Sequence, residues 1–156
     1  MKAQIIALLL LFAGTSTAIA QNITADKYAT NRHVTTVTLN RGMLNLIPGG
    51  ITKIMDITSV GNNVESLRIL TTSKRCVGRR ITRSVRQEVN TPKYSELVGF
   101  TRGHKTYSVA ARQEDGSIRE ASLLISQKHP RRRTTLIVLN GNFSLTDLKS
   151  LPSYLK

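Results

Sequence analysis

The chain has 156 residues, 23 of them Lys or Arg and only 9 Asp or Glu, for a net charge of +14, with one cysteine and 4% aromatics. A lone cysteine excludes an internal disulfide framework, so stability has to come from packing. So few aromatics exclude a base-stacking platform for single-stranded nucleic acid. The cationic excess favours anionic partners, and the bland alternative is a basic drift of the whole proteome with no partner behind it.

Residues 1–20 have the three parts of a secretory signal. Lys2 is the positive start, Ile5–Ala13 the apolar run, and Ala18-Ile19-Ala20 the small-x-small site, which places cleavage between Ala20 and Gln21. The apolar run is about half the length needed to span a bilayer, so a cleaved signal fits better than an anchor. Gln21 stands where a lipoprotein has its cysteine, and no second long apolar stretch follows. The expectation is a periplasmic or secreted protein with no transmembrane anchor after cleavage. What remains is enough for one core.

Residues 21–33 are polar and aperiodic, expected as a flexible lead-in or a short helix before a single domain over 34–156. His33–Leu39 is β-branched and reads as a strand. Met43–Ile47 reads as a short amphipathic helix stopped by Pro48-Gly49-Gly50, with Ile51, Ile54 and Met55 continuing helical spacing. Val64–Thr71 is a second strand. Ser73 is the expected N-cap of the longest helix, about Lys74–Val89, in which Val77, Ile81, Val85 and Val89 form a buried stripe.

After Asn90-Thr91-Pro92 the period changes to two. Ser95–Arg102, Lys105–Gln113, Ile118–Ser126 and Thr134–Asn140 are four antiparallel strands, and Asp115-Gly116 is a hairpin turn. Leu136–Leu139 is apolar on both faces, which predicts a central strand. Ser144 is placed as the cap of a last short helix with Leu145, Leu148 and Leu151 facing inward. The sum is an α+β fold: a single, mostly antiparallel sheet of about six strands with helices packed on one face.

Motifs that carry chemistry are missing. His33, His104 and His129 are far apart in sequence and lack Cys or acidic partners at metal-ligand spacing, so solvated loop histidines are expected. No nucleophile elbow, P-loop or dinucleotide-binding turn occurs. No catalytic residue, cofactor or metal is therefore assigned. Cys76 is expected to be half-buried and passive rather than a reactive thiol. The sequons Asn22-Ile23-Thr24 and Asn142-Phe143-Ser144 are read as chance matches, the second as a turn plus helix cap.

The one constellation with physical content is basic. On a helical wheel Arg75, Arg86, Arg79 and Arg83 follow one another within a single quarter-turn, opposite the valine and isoleucine stripe, with Arg80 beside them. Arg131, Arg132 and Arg133, with Lys128, form a second cluster between two strands. Guanidinium groups fork onto phosphates and carboxylates. Arginines simply facing water are the plain alternative, yet like charges four apart on a helix repel. An external anion would relieve that repulsion.

Several stretches together resemble the "domain of unknown function 4252" family of small exported bacterial proteins. They are Met43–Pro48 after a strand, Val64–Thr72 ahead of a basic helix, Tyr94–Leu97, Leu123–Ile125, and Leu136 through Leu148. The resemblance covers roughly 34–151. It implies a small α+β periplasmic or lipid-anchored domain and brings no activity, cofactor or catalytic residue with it. Relatives with a lipobox cysteine would be lipid-anchored, and Gln21 departs from that pattern.

Two functional expectations follow. The first is a non-enzymatic binding or structural envelope protein that meets an anionic polymer or lipid head groups through Arg75, Arg79, Arg83 and Arg86, joined by Arg131–Arg133. The second is a periplasmic component of an envelope-stress signalling circuit, recognised by an envelope protein through its sheet surface. Nucleic acid is excluded as the partner least accessible outside the cytoplasm.

Overall fold

The computed structural model describes residues 22–46 and 63–144. Six strands and three helices follow in the order α1 (Ile23–Ala29), β1 (Thr35–Asn40), α2 (Arg41–Leu46), β2 (Val64–Thr72), α3 (Arg75–Val89), β3 (Tyr94–Arg102), β4 (Lys105–Glu114), β5 (Ser117–Gln127) and β6 (Arg133–Phe143). The strands form one sheet in the order β1-β2-β6-β5-β4-β3. Every neighbouring pair is antiparallel. The signal segment with Ala20 and Gln21, the helical spacing through Ile51 and Met55, and the helix after Ser144 lie outside the described residues.

Leu136–Leu139 lies in β6, between β2 and β5, as a strand apolar on both faces should. Alternation along the strands sorts side chains into two clusters. Leu67, Leu139, Ala121 and Ala111 are in register across four strands and share one face with Leu123, Val109 and Tyr107. Leu70, Leu136 and Leu124 share the other, where α1 supplies Ala25 and Tyr28 and α3 supplies Val77, Ile81 and Val85. The turn Asp115-Gly116 has positive φ at both residues (52° and 76°), the conformation a tight hairpin needs and Asp-Gly readily adopts.

Four expectations need correction. The helices are not all on one face: Leu44 of α2 packs into the opposite cluster from α1 and α3. Of the two readings of 21–33, the short helix is the one found. Asn22 caps it by accepting a hydrogen bond from the Ala25 amide at 2.8 Å, and Ala25 and Tyr28 are core residues, so this stretch is no flexible lead-in. The helix after β2 starts one residue late for a Ser73 cap. Lys74 occupies the cap position without a side-chain bond, and Thr72 Oγ1 accepts from the Lys74 amide instead. Finally, β6 runs on to Phe143, so Asn142-Phe143 is strand rather than turn.

Gly78 brings α3 against the sheet. A Cβ there would stand 2.5 Å from Thr134 Oγ1 and 3.2 Å from Thr134 Cβ. An alanine in mid-helix gains about 1 kcal/mol of propensity, but overpacking of this kind costs about 1–3 kcal/mol. Gly78→Ala is therefore expected to lower stability by about 1 kcal/mol in urea unfolding. In Gly78→Ala combined with Thr134→Ala the clash is gone, and the propensity gain should reappear as stability above that of Thr134→Ala alone.

Candidate basic surface and a buried polar network

The helix α3 owes its outer face to its spacing. Val77, Gly78, Ile81 and Val85 are buried against the sheet, and this turns Arg75, Arg79, Arg80, Arg83 and Arg86 outward, all exposed. No carboxylate among the described residues lies within salt-bridge distance of any of these five. Ion pairs occur elsewhere: Asp26 with Arg68, and Glu114 and Glu120 with Arg112.

The loop cluster is also exposed at Lys128, Arg131, Arg132 and Arg133. Its position follows from Gly78, since Thr134, which Gly78 nearly touches, directly follows Arg133. The second basic cluster therefore begins beside the first half of α3. Residues far apart along the chain are thus placed on neighbouring elements, which the wheel alone does not reveal.

Cys76 is exposed rather than half-buried. It precedes Val77 on the helix and so falls outside the buried stripe. His104 and His129, distant in sequence, approach edge to face with ring centroids 5.5 Å apart, because the β3–β4 and β5–β6 turns lie side by side. No group of three or more His, Cys, Asp or Glu suited to a metal occurs among the described residues. No described helix is long and apolar enough to cross a membrane.

A second constellation is not apparent from the sequence. Glu120 on β5 is fully buried. Its Oε1 accepts from Asn22 Nδ2 at 2.8 Å and from the Tyr94 hydroxyl at 2.9 Å. Its Oε2 is buried without a hydrogen bond among the described residues, 3.8 Å from Arg112 Nε. Burial pushes the Glu120 carboxyl up from its ordinary value, and the bonds from Asn22 and Tyr94 and the charge of Arg112 oppose the shift without cancelling it. Burial and the neighbouring Glu120 raise the Tyr94 phenol as well.

Glu88, in the last turn of α3, completes the arrangement. Its Oε1 accepts from the Ile23 amide at 3.0 Å and its Oε2 from Thr24 Oγ1 at 2.7 Å. A carboxylate here satisfies amide and hydroxyl donors that the start of a helix would otherwise leave open. The network thus ties the start of α1 to β5, β3 and α3. The sequence signals it only weakly, because Glu120 follows Arg119 in a strand that also carries Ser117, Ser122, Ser126 and Gln127.

One family matches this chain over most of its length. A model described as "Domain of unknown function (DUF4252)" matches residues 28–151. The chain belongs to the DUF4252 family. The match takes in every described strand and both basic clusters, and it starts inside α1, so Asn22 precedes it. No curated protein and no solved structure matches.

Proposed function

We propose that this DUF4252 protein is an exported, non-enzymatic binding protein that holds an anionic polymer of the cell envelope against α3 and the β5–β6 loop. One observation carries the reading: Arg75, Arg79, Arg83 and Arg86 share an exposed helix face, and no described carboxylate neutralises them. Export supplies the setting, through the signal-like residues 1–20 and the absence of a lipobox cysteine at Gln21. Arg131–Arg133 on the adjoining loop would extend the footprint.

Replacing the four stripe arginines together by Gln tests this. Each exposed ion pair with the polymer contributes about 0.5 kcal/mol, so losing four weakens binding by about 2 kcal/mol, or ~30-fold. The same substitutions remove four like-charge pairs three or four residues apart (Arg75–Arg79, Arg79–Arg83, Arg80–Arg83 and Arg83–Arg86), each worth about 0.3 kcal/mol of repulsion. The variant should therefore elute much earlier in salt from an immobilised polyanion and melt slightly higher. Unchanged elution would defeat the reading, and the melting control separates lost binding from lost folding.

Exposed apolar side chains favour a second reading. Val37, Met43 and Leu46 are exposed on the edge strand β1 and on α2, with Leu46 at 82%. A periplasmic component of an envelope-stress circuit could use this edge to meet a protein. Such a contact would survive moderate salt, whereas binding to a polyanion is screened.

A further inference from the structure

We infer that the groove beneath the second half of α3 binds a uronic-acid-bearing saccharide. The inference deepens the anion-binding reading above and rests on it. The groove encloses about 790 Å³ between α3 and the outer strands, within the usual range for a small-molecule site.

Its origin is visible in the strands. On the face opposite α3, β3 and β4 carry Val98, Phe100, Tyr107 and Val109, all packed into the core. On the α3 face the same two strands carry Glu96, Gly99, Thr101, Thr106 and Ser108, none of them a large apolar side chain. The helix core ends at Leu124 on β5, and the sheet continues past it for two strands. The result is a cleft with unlike walls.

One wall is apolar, made by Val85 and Val89 of α3 with Leu124. The other is a row of hydroxyls ending in a carboxylate. Thr101 and Thr106 hydroxyls lie 3.4 Å apart, Ser108 donates to Glu96 Oε1 at 3.0 Å, and Ser126 adds another hydroxyl. Arg86, from the basic stripe, and Lys128, from the basic loop, both line the cleft and outnumber Glu96.

Those features select a ligand class. A sugar ring has an apolar C–H face for the valine and leucine wall and a hydroxyl edge for the threonines, serines and Glu96. A uronic acid adds a carboxylate for Arg86 and Lys128, the charge-assisted contact that fixes orientation. An acyl chain would strip water from the hydroxyls and Glu96 without replacing their hydrogen bonds, which is unfavourable. A bare phosphate would leave the apolar wall unused.

Calorimetric titration of the protein with trigalacturonate, maltotriose and inorganic tripolyphosphate is the test. Trigalacturonate should bind, and maltotriose should bind roughly tenfold or more weakly, the worth of a hydrogen bond between charged groups. In Gly99→Leu the new side chain enters the cleft, with only the movable Glu96 carboxylate within 3.4 Å of its Cβ, and trigalacturonate binding should be lost. Thr106→Val keeps the volume of the side chain, so it guards against misfolding of the leucine variant, and it should weaken binding several-fold. Arg41→Gln, on α2 and outside both the groove and the basic clusters, should leave trigalacturonate binding unchanged.

Equal binding of maltotriose would overturn the inference, as would full binding by Gly99→Leu and Thr106→Val. Binding of tripolyphosphate alone, sensitive to the four stripe arginines and blind to Gly99→Leu, overturns the saccharide groove and leaves the anion-binding reading standing. Trigalacturonate binding lost in Gly99→Leu, beside polymer retention indifferent to the arginine stripe, supports the groove and defeats the stripe.

Discussion

Glu120→Ala is expected to destabilise the protein by about 4 kcal/mol, and to loosen α1 first. The substitution removes the acceptor of Asn22 Nδ2 and the nearer acceptor of the Tyr94 hydroxyl, which is left with Glu88 Oε1 at 3.5 Å. A buried donor left without a partner costs about 1–3 kcal/mol. Arg112 would also lose a buried counter-charge while keeping the more exposed Glu114, 3.6 Å away. Breaking one side of a buried pair is costly for that reason. The measurement is urea unfolding with amide exchange followed at Ala25 and Tyr28, whose protection should fall more than that of β6. An alanine variant as stable as the parent would show that the network does not hold α1.

Glu120→Gln separates the hydrogen bonds from the charge. A Gln oxygen can still accept from Asn22 and Tyr94, while the carboxylate that burial disfavours is gone. The carboxyl is raised above its ordinary value near 4.5, so the folded state binds the proton more tightly than the unfolded chain does. Its contribution to stability is then fully present below pH 4.5 and is lost as the pH rises through the raised folded value. Urea midpoints should accordingly show the Gln variant gaining on the parent as the pH rises above about 4.5 toward the raised folded value. A parent that gained on the variant over that range would mean that Arg112 and the hydrogen bonds outweigh burial.

How much of this was legible in the sequence depends on the range of each interaction. The strands β3 to β6 showed themselves because alternation is local, and the placing of β6 inside the sheet followed from four consecutive apolar residues. The inner face of α3 was equally plain, since Val77, Ile81 and Val85 are spaced by one turn. The helix α1 was not. Its buried residues Thr24, Ala25 and Tyr28 carry too little apolar area to produce a period, and its start is held by Glu120, which is 98 residues away. Likewise, Leu44 looks like any amphipathic position until the sheet assigns it a face. The arginine stripe was legible as a pattern. That Lys128 and Arg86 flank one groove was not, because only the packing of α3 on the sheet brings residues 42 positions apart in the chain together.

The second large effect is expected at Gly141, where the backbone itself is in the way. A Cβ there would lie 2.0 Å from the Asn63 carbonyl oxygen, 3.0 Å from its carbon and 2.9 Å from Phe143 Cζ. Two of these three atoms are main chain, so no rotamer change relieves the clash, unlike at Gly78, where only a threonine side chain intervenes. The site is also where β2 meets β6 through a register shift, between Val64 and Ser66. Such a bulge bends one strand toward another and so suits glycine. Gly141→Ala must push Asn63 outward and with it Val64, which together with Phe143 closes this end of the core. Overpacking costs about 1–3 kcal/mol where side chains can yield. With main chain obstructing, the expected loss is about 3 kcal/mol, at the upper end of that range. Amide exchange should accelerate at Val64 and Phe143 while the opposite end of the same strand pair, Thr72 with Thr134, stays protected. Uniform acceleration along both strands would instead mean that the bulge is coupled to the whole sheet. That outcome would place Gly141 among the residues that determine global unfolding.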